Sequence, residues 1–244
     1  FGLKYFAAQF TSSHTSARLS NQGNDWAYGV GVRVGWRGSF LADRLDLGAV
    51  YTTKTYMTQF DKYSELFAGH GRFDTPSNFG VGVAVKITPK LMAELDVVRM
   101  LYSGVPAVSN LGPNATQGPP FPTSRAVNAL GEDQGLGFGW KNQTIYKVGL
   151  SYALNDQLTL RGGWNYGKSP IDQTREVVFN VVAPATVQSH ATIGATYHLN
   201  AASSITFSYV HAFNFTQFGG TYFGQLGTIK MHQNSFGISY GLQM

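Results

Sequence analysis

The sequence predicts an all-β fold, a transmembrane antiparallel up-and-down β-barrel with about ten strands in this chain. Three observations predict it. Long stretches alternate large apolar residues with glycine, serine, threonine or asparagine. The connections between these stretches alternate short and long. The final stretch is amphipathic in the same way.

The clearest stretch runs from Trp26 to Trp36. Trp26, Tyr28, Val30, Val32, Val34 and Trp36 alternate with Ala27, Gly29, Gly31, Arg33 and Gly35. A period of two makes this a strand with one greasy face and one small or polar face. Ten residues at about 3.3 Å each, tilted by roughly 40°, rise about 25 Å. That is the height of the lipid-facing band of an outer-membrane barrel, whose two edges carry aromatic girdles. The valines then face lipid and the two tryptophans face headgroups.

The other elements follow in order. Residues 1–11 read as an aromatic strand and 12–24 as a polar, turn-rich loop. Residues 25–38 hold the strand above, and 39–44 are a short connection. Residues 45–58 alternate again, with Leu45, Leu47, Ala49 and Tyr51 opposite Asp46, Gly48 and Thr52. Residues 59–77 break the pattern, and 62–68 can form a helical turn with Tyr63, Leu66 and Phe67 on one side. Phe79, Val81, Val83, Val85 and Ile87 mark a strand over 78–88. Pro89 and Lys90 turn the chain into a strand over 91–103, whose phase is lost near Val98 and Arg99, as at a bulge. Residues 104–141 carry Pro106, Pro113, Pro119, Pro120 and Pro122. A loop of that length is usually functional or mobile. Strands are expected at 142–154 and 157–169, joined at Asn155 and Asp156. A loop follows at 170–185, then strands at 187–199 and 204–215, a loop at 216–228, and a last strand at 229–244. Phe236, Ile238, Tyr240, Leu242 and Met244 line one face of that strand. Barrels of the outer membrane have short periplasmic turns and longer extracellular loops. The alternation of loop lengths therefore assigns a side to each strand end.

Composition agrees. The 244 residues include 29 Gly, 13 Tyr and 17 Phe, no Cys, and 13% charged residues. No apolar run is long enough for a membrane helix. The net charge of +5 is spread without a Lys/Arg run, so nucleic acid is not a partner. A soluble sandwich also alternates, but its exposed faces carry Lys, Glu and Asp. Here the second face is mostly Gly, Ser, Thr and Asn. The histidines at 14, 70, 190, 198, 211 and 232 form no metal-ligand spacing. His232, Asn234 and Ser235 hold the residue types of a membrane phospholipase. Adjacent strand residues point to opposite faces, so Asn234 and Ser235 cannot converge. No catalytic residue, metal or cofactor is expected.

Several stretches resemble the outer-membrane long-chain fatty acid transporter family of the FadL/TodX type. They are DWAYGVGVRVGW at 25–36, KTYMTQFDKYSELFAGHGRFDTPSNFGVGVA at 54–84, and GFGWKNQTIYKVGLSYALNDQLTLRGGWNYGKSPI at 137–171. YVHAF at 209–213 and QNSFGISYGLQM at 233–244 fit the same pattern. The resemblance implies a monomeric, fourteen-stranded barrel in the outer membrane of a Gram-negative bacterium. Such a barrel passes hydrophobic molecules inward by diffusion. It also implies an N-terminal hatch with an Asn-Pro-Ala signature and a wall opening at a kinked early strand. This sequence shows neither signature nor hatch, so residues 1–244 are expected to be one barrel domain from the C-terminal part of a longer protein. The implied partners are a long-chain fatty acid or another hydrophobic small molecule, with outer-membrane lipid and lipopolysaccharide around the wall.

Candidate ligand-binding residues fall into two groups. Phe60, Tyr63, Leu66 and Phe67, with Phe121, Leu130, Leu136 and Phe138 in the longest loop, offer an outer apolar surface where a fatty chain docks. Burial is worth about 0.8 kcal/mol per CH₂. The plainer reading is packing among the loops. Arg33, Lys147 and Arg161, with Lys54 and Lys86, fall on the non-lipid face, where a cation can meet a fatty carboxylate. The plainer reading there is a lumenal ion-pair network with Glu94 and Asp96. A scaffold barrel with a lumen packed shut is the alternative to a channel.

Overall fold

The computed structural model describes residues 2–4, 24–64, 66–112, 131–173, 176–220 and 226–242. The strands in chain order are β1 (Gly2–Lys4), β2 (Asn24–Trp26), β3 (Gly29–Val30), β4 (Arg33–Phe40), β5 (Leu45–Thr52), β6 (Tyr56–Met57) and β7 (Ser77–Lys86). They continue with β8 (Leu91–Leu101), β9 (Gln143–Ala153), β10 (Leu158–Gly167), β11 (Ser189–His198), β12 (Ser203–Gly220) and β13 (Leu226–Leu242). Nine of them form one sheet in the order β13-β12-β11-β10-β9-β8-β7-β5-β4, with antiparallel pairing throughout. This is the up-and-down meander that the alternation predicts. β1 pairs with β2, and β3 with β6, as separate two-stranded pieces.

The faces divide as the sequence demands. Val34, Trp36, Tyr51, Val81, Leu95, Val148, Leu150, Ile193, Phe236 and Ile238 are all exposed. The ladder pairings place them on one side, because paired residues share a face. The opposite face carries Gly48, Gly82, Asp96 and Lys147 in successive strands, and it bounds the large cavities described below. The polar side is therefore the hollow side, and the greasy side is the one that meets lipid.

Five expectations need correction. The strand over 25–38 is not continuous: β2, β3 and β4 are three pieces with different partners. The cause lies opposite it. Thr55 leaves the wall to pair with Thr75, so β6 meets β3 one residue out of step with β5 and β4. The strand over 45–58 is split for the same reason. No bulge occurs at Val98 and Arg99, where β8 keeps an unbroken register with both neighbours. The bulge falls instead between Ala212 and Phe215 of β12. Residues 216–220 and 226–228, expected in a loop, are strand, because β12 runs to Gly220 and β13 starts at Leu226. The bulge shifts the apolar phase, and the shift reads in sequence as a strand end. The ion-pair network of the inner face reduces, among the described residues, to Arg37–Asp46 at 2.8 Å.

The long connections fold into a cap on the end of the sheet that the loop-length rule makes extracellular. A 3₁₀ turn at Asp61–Tyr63 falls where the helical turn is expected. A second, at Tyr102–Gly104, leads into a short helix at Pro106–Ser109. Their apolar residues make three clusters. Ala27, Met57, Phe60 and Tyr63 form one, Val105, Ala107 and Val108 the next, and Ile171, Val177 and Ile229 the third. Phe67 and Phe73 border the first two, and Trp140 borders the last two. The cap is thus one chain of apolar contacts anchored to the wall at both ends.

Candidate functional site

The inner face is built from the small sides of the strands. Glycine at 48, 80, 82, 149, 163 and 194 leaves room for the longer polar residues between. An added Cβ at Gly163 lies 3.0 Å from the Thr192 hydroxyl. The described residues bound at least three cavities on this face. One of about 750 Å³ holds Arg33, Asp46, Glu94, Asp96 and Lys147. A second of about 460 Å³ holds Glu94, Asp96, Lys147 and Arg161. A third of about 370 Å³ lies under the loop around Pro184, between it and Gln143, Asn165 and His190, and Lys147 lines it as well.

Lys147 therefore borders all three. Its Cα partner across the ladder is Asp96, yet no ion pair within 4.0 Å joins them among the described residues. Arg161 is held differently: its Nη1 donates to Thr196 Oγ1 at 2.6 Å, and that hydroxyl lies 2.9 Å from Thr206 Oγ1. Asn165 and His190 share a hydrogen bond of 2.9 Å. Arg33 shares the largest cavity with Lys147 but not the one with Arg161. The structure thus places all three cations on one face, with Lys147 between the other two.

The apolar candidates separate by burial. Phe60 and Tyr63 are only 1% and 4% exposed, inside the first cap cluster. Leu66 and Phe67 are half-buried against it, with Phe67 at 6.2 Å from Phe60 and 5.0 Å from Phe73 between ring centroids. Phe138 lies between Trp140 at 6.0 Å and Phe179 at 5.6 Å. Leu136 is buried. Phe121 and Leu130 lie outside the described residues.

Three buried polar residues of the cap, Asp74, Asn180 and Glu176, were not legible as site residues. Asp74, 2% exposed, accepts from the Met57 amide at 2.8 Å and pairs with Lys54 at 3.3 Å. Asn180, fully buried, accepts from Trp140 Nε1 at 2.6 Å and donates to the Phe138 carbonyl at 2.8 Å. Glu176, also fully buried, accepts from the Gly112 amide at 3.0 Å. Any side chain at Gly139 would strike the Glu176 carboxylate at 2.6 Å. The Gly-Phe-Gly-Trp run at 137–140 was the only signal in the sequence. Burial raises the Tyr102 phenol pKa, and its ring meets Trp140 edge-on at 5.2 Å.

The enzyme alternative has one geometric echo. His211 Nδ1 and the Tyr209 hydroxyl both lie 2.8 Å from Asn234 Oδ1 on the lipid face. Ser235 pairs with Val210 on the opposite face, as the alternation requires.

Comparison with known proteins agrees with the geometry. Residues 4–218 match the family described as outer membrane protein transport protein (OMPP1/FadL/TodX). No curated protein matches the chain. Among solved structures, the Pseudomonas putida toluene transporter TodX superposes with a TM-score of 0.60 at 19% identity, covering 95% of this chain and 52% of its own. A Pseudomonas aeruginosa FadL homologue gives 0.58 at 16%, covering 90% and 53%. The Ralstonia pickettii toluene transporter TbuX gives 0.54 at 15%, covering 91% and 49%. At these identities the likeness speaks for the fold, and the chain spans about half the length of those structures. With the family match over 4–218, a greasy outer face and a hollow polar inner one, this chain belongs to the OMPP1/FadL/TodX family of outer membrane transport proteins, and its place is the outer membrane of a Gram-negative bacterium.

Proposed function

We propose that the chain forms part of the wall and cap of a channel for passive uptake of hydrophobic compounds, long-chain fatty acids among them. The observation that carries this reading is the position of Lys147, where a chamber under the cap meets two larger cavities of the inner face. An apolar chain can settle against the half-buried Leu66, Phe67 and Phe138 of the cap. A carboxylate head can then meet Lys147, with Arg33 and Arg161 further along the same face. Charge-assisted contacts of this kind are stronger than neutral ones. The hollow inner face supports a channel over a scaffold barrel with a packed lumen. Among the described residues the outer edges of β4 and β13 have no strand partner, and an unpaired edge cannot rest in hydrocarbon. We therefore take the nine-stranded sheet as part of a larger, monomeric barrel closed by further strands.

Relatives that carry toluene support the broader class of hydrophobic compounds. The aromatic cap favours a second reading, in which neutral aromatics pass without using Lys147. Uptake of labelled oleate and toluene by cells expressing the full-length protein, with and without Lys147→Gln, separates the two. We expect oleate uptake to fall about tenfold in the variant, as for one lost charge-assisted hydrogen bond, with toluene unchanged. Toluene uptake alone would remove the fatty-acid reading, and uptake of neither would remove the channel.

A further inference from the structure

The lipid face carries almost no charge, and its charge has one sign and one location. Among the strands of the nine-stranded sheet, Asp46, Glu94 and Asp96 all point to the inner face. So do Arg33, Arg37, Lys86, Lys147 and Arg161. Only Arg99 of β8 and Lys230 of β13 remain on the outward side. Both stand toward the long-loop end. Lys168, just beyond β10, is exposed and continues the outward column of Trp164 and Tyr166.

These cations stand just above the greasy band. In β13 the outward residues Leu242, Tyr240, Ile238 and Phe236 give way to Asn234, His232 and Lys230. In β9 the change falls between Tyr146 and Thr144, and in β10 between Tyr166 and Lys168. Register places Phe79, Arg99 and Thr144 in one cross-strand row, and continuing the β9–β10 ladder adds Lys168. Arg99 and Lys168 are thus two strands apart, about 10 Å. Arg99 is half-buried, and its Nη1 donates to Thr144 Oγ1 at 2.7 Å.

The cap cations have partners of their own: Lys54 pairs with Asp74, and Lys141 with Asp172. Among the described residues, no carboxylate pairs with Arg99, Lys168 or Lys230. A half-buried guanidinium at the edge of hydrocarbon is costly without a counter-charge. The leaflet that this end meets is rich in phosphorylated glycolipid. We propose that the Arg99–Thr144–Lys168 row, with Lys230 higher on the same face, is a docking site for the phosphates of that lipid, lipopolysaccharide. The flanking Phe79, Tyr146 and Tyr166 lie against its acyl chains.

Native mass spectrometry of the full-length protein in mild detergent tests this. The probes are bisphosphorylated lipid A, the same lipid stripped of phosphate, and inorganic phosphate. The wild type is expected to hold bisphosphorylated lipid A about fivefold better for each cation engaged, and the dephosphorylated lipid no better than background. Arg99→Gln with Lys168→Gln should lower that affinity about 25-fold. Arg99→Lys with Lys168→Arg should retain most of it, and Lys90→Gln in a short turn should change nothing. Equal retention of phosphorylated and dephosphorylated lipid by the wild type overturns the proposal, and needs no variant to fold. So does full affinity in the double glutamine variant. Displacement by millimolar inorganic phosphate would reduce the row to a simple anion site and overturn lipid docking. Fatty-acid uptake is a separate readout, so failure here leaves the channel reading standing.

Discussion

Lys54→Met is the sharpest test of how the cap is held on the wall. Lys54 Nζ lies 3.3 Å from Asp74 Oδ2, 3.3 Å from the Gly104 carbonyl, and 4.7 Å from the centre of the Tyr56 ring. It therefore joins the segment after β5, the segment before β7 and the end of β8. At 3.3 Å and an effective dielectric of 20, the attraction is about 5 kcal/mol before desolvation is subtracted. Removing one partner of a buried pair typically costs about 3–5 kcal/mol. The Lys54 side chain is 25% exposed, which places the cost near the lower end, at about 3 kcal/mol. Since the nine-stranded sheet does not depend on this pair, the loss should appear as local opening of the cap. Hydrogen exchange at the Met57 and Thr75 amides, which bond to Asp74 and Thr55, should then speed up by about a hundredfold. Asp74→Asn keeps an acceptor for the Met57 amide while removing the charge. In that background Lys54→Met should cost much less. If Lys54→Met costs the same in both backgrounds, the ion pair does not hold the cap and the reasoning fails.

Two further outcomes follow from the same geometry. Leu41, Ala42 and Asp43 in the turn between β4 and β5 have φ of 55°, 53° and 61°. Ala42→Gly should therefore raise stability against urea by about 0.5–1 kcal/mol, relief of left-handed strain exceeding the entropy lost by glycine; a lowered midpoint would contradict it. Trp140→Phe removes the donor to the buried Asn180 Oδ1 and should cost the cap about 1–3 kcal/mol, read as faster exchange at the Asn180 amide. Unchanged exchange there would show that the bond adds nothing.

The sequence by itself determined the sheet. A period of two is a local property, because each residue's face depends only on its neighbours. The strand faces of Phe79 to Val85 and Tyr146 to Tyr152 are thus set by the sequence alone. Loop lengths then fixed strand order, since a short turn forces adjacent antiparallel pairing. What the tertiary structure alone decided lies wherever partners are distant in sequence. The exchange of Thr55 from the wall to Thr75 breaks β4 from β3, though Trp26 to Trp36 reads as one strand. The bulge in β12 hid the upper half of that hairpin, because it changes the phase that reading depends on. For Phe60 and Tyr63 the sequence left two readings, an outer docking surface or packing among the loops, and the structure packs them with Ala27 and Met57. Lys147 could be named from its face, but its position between three cavities could not. That depends on loops folding back over the wall from more than thirty residues away, and no local pattern encodes it.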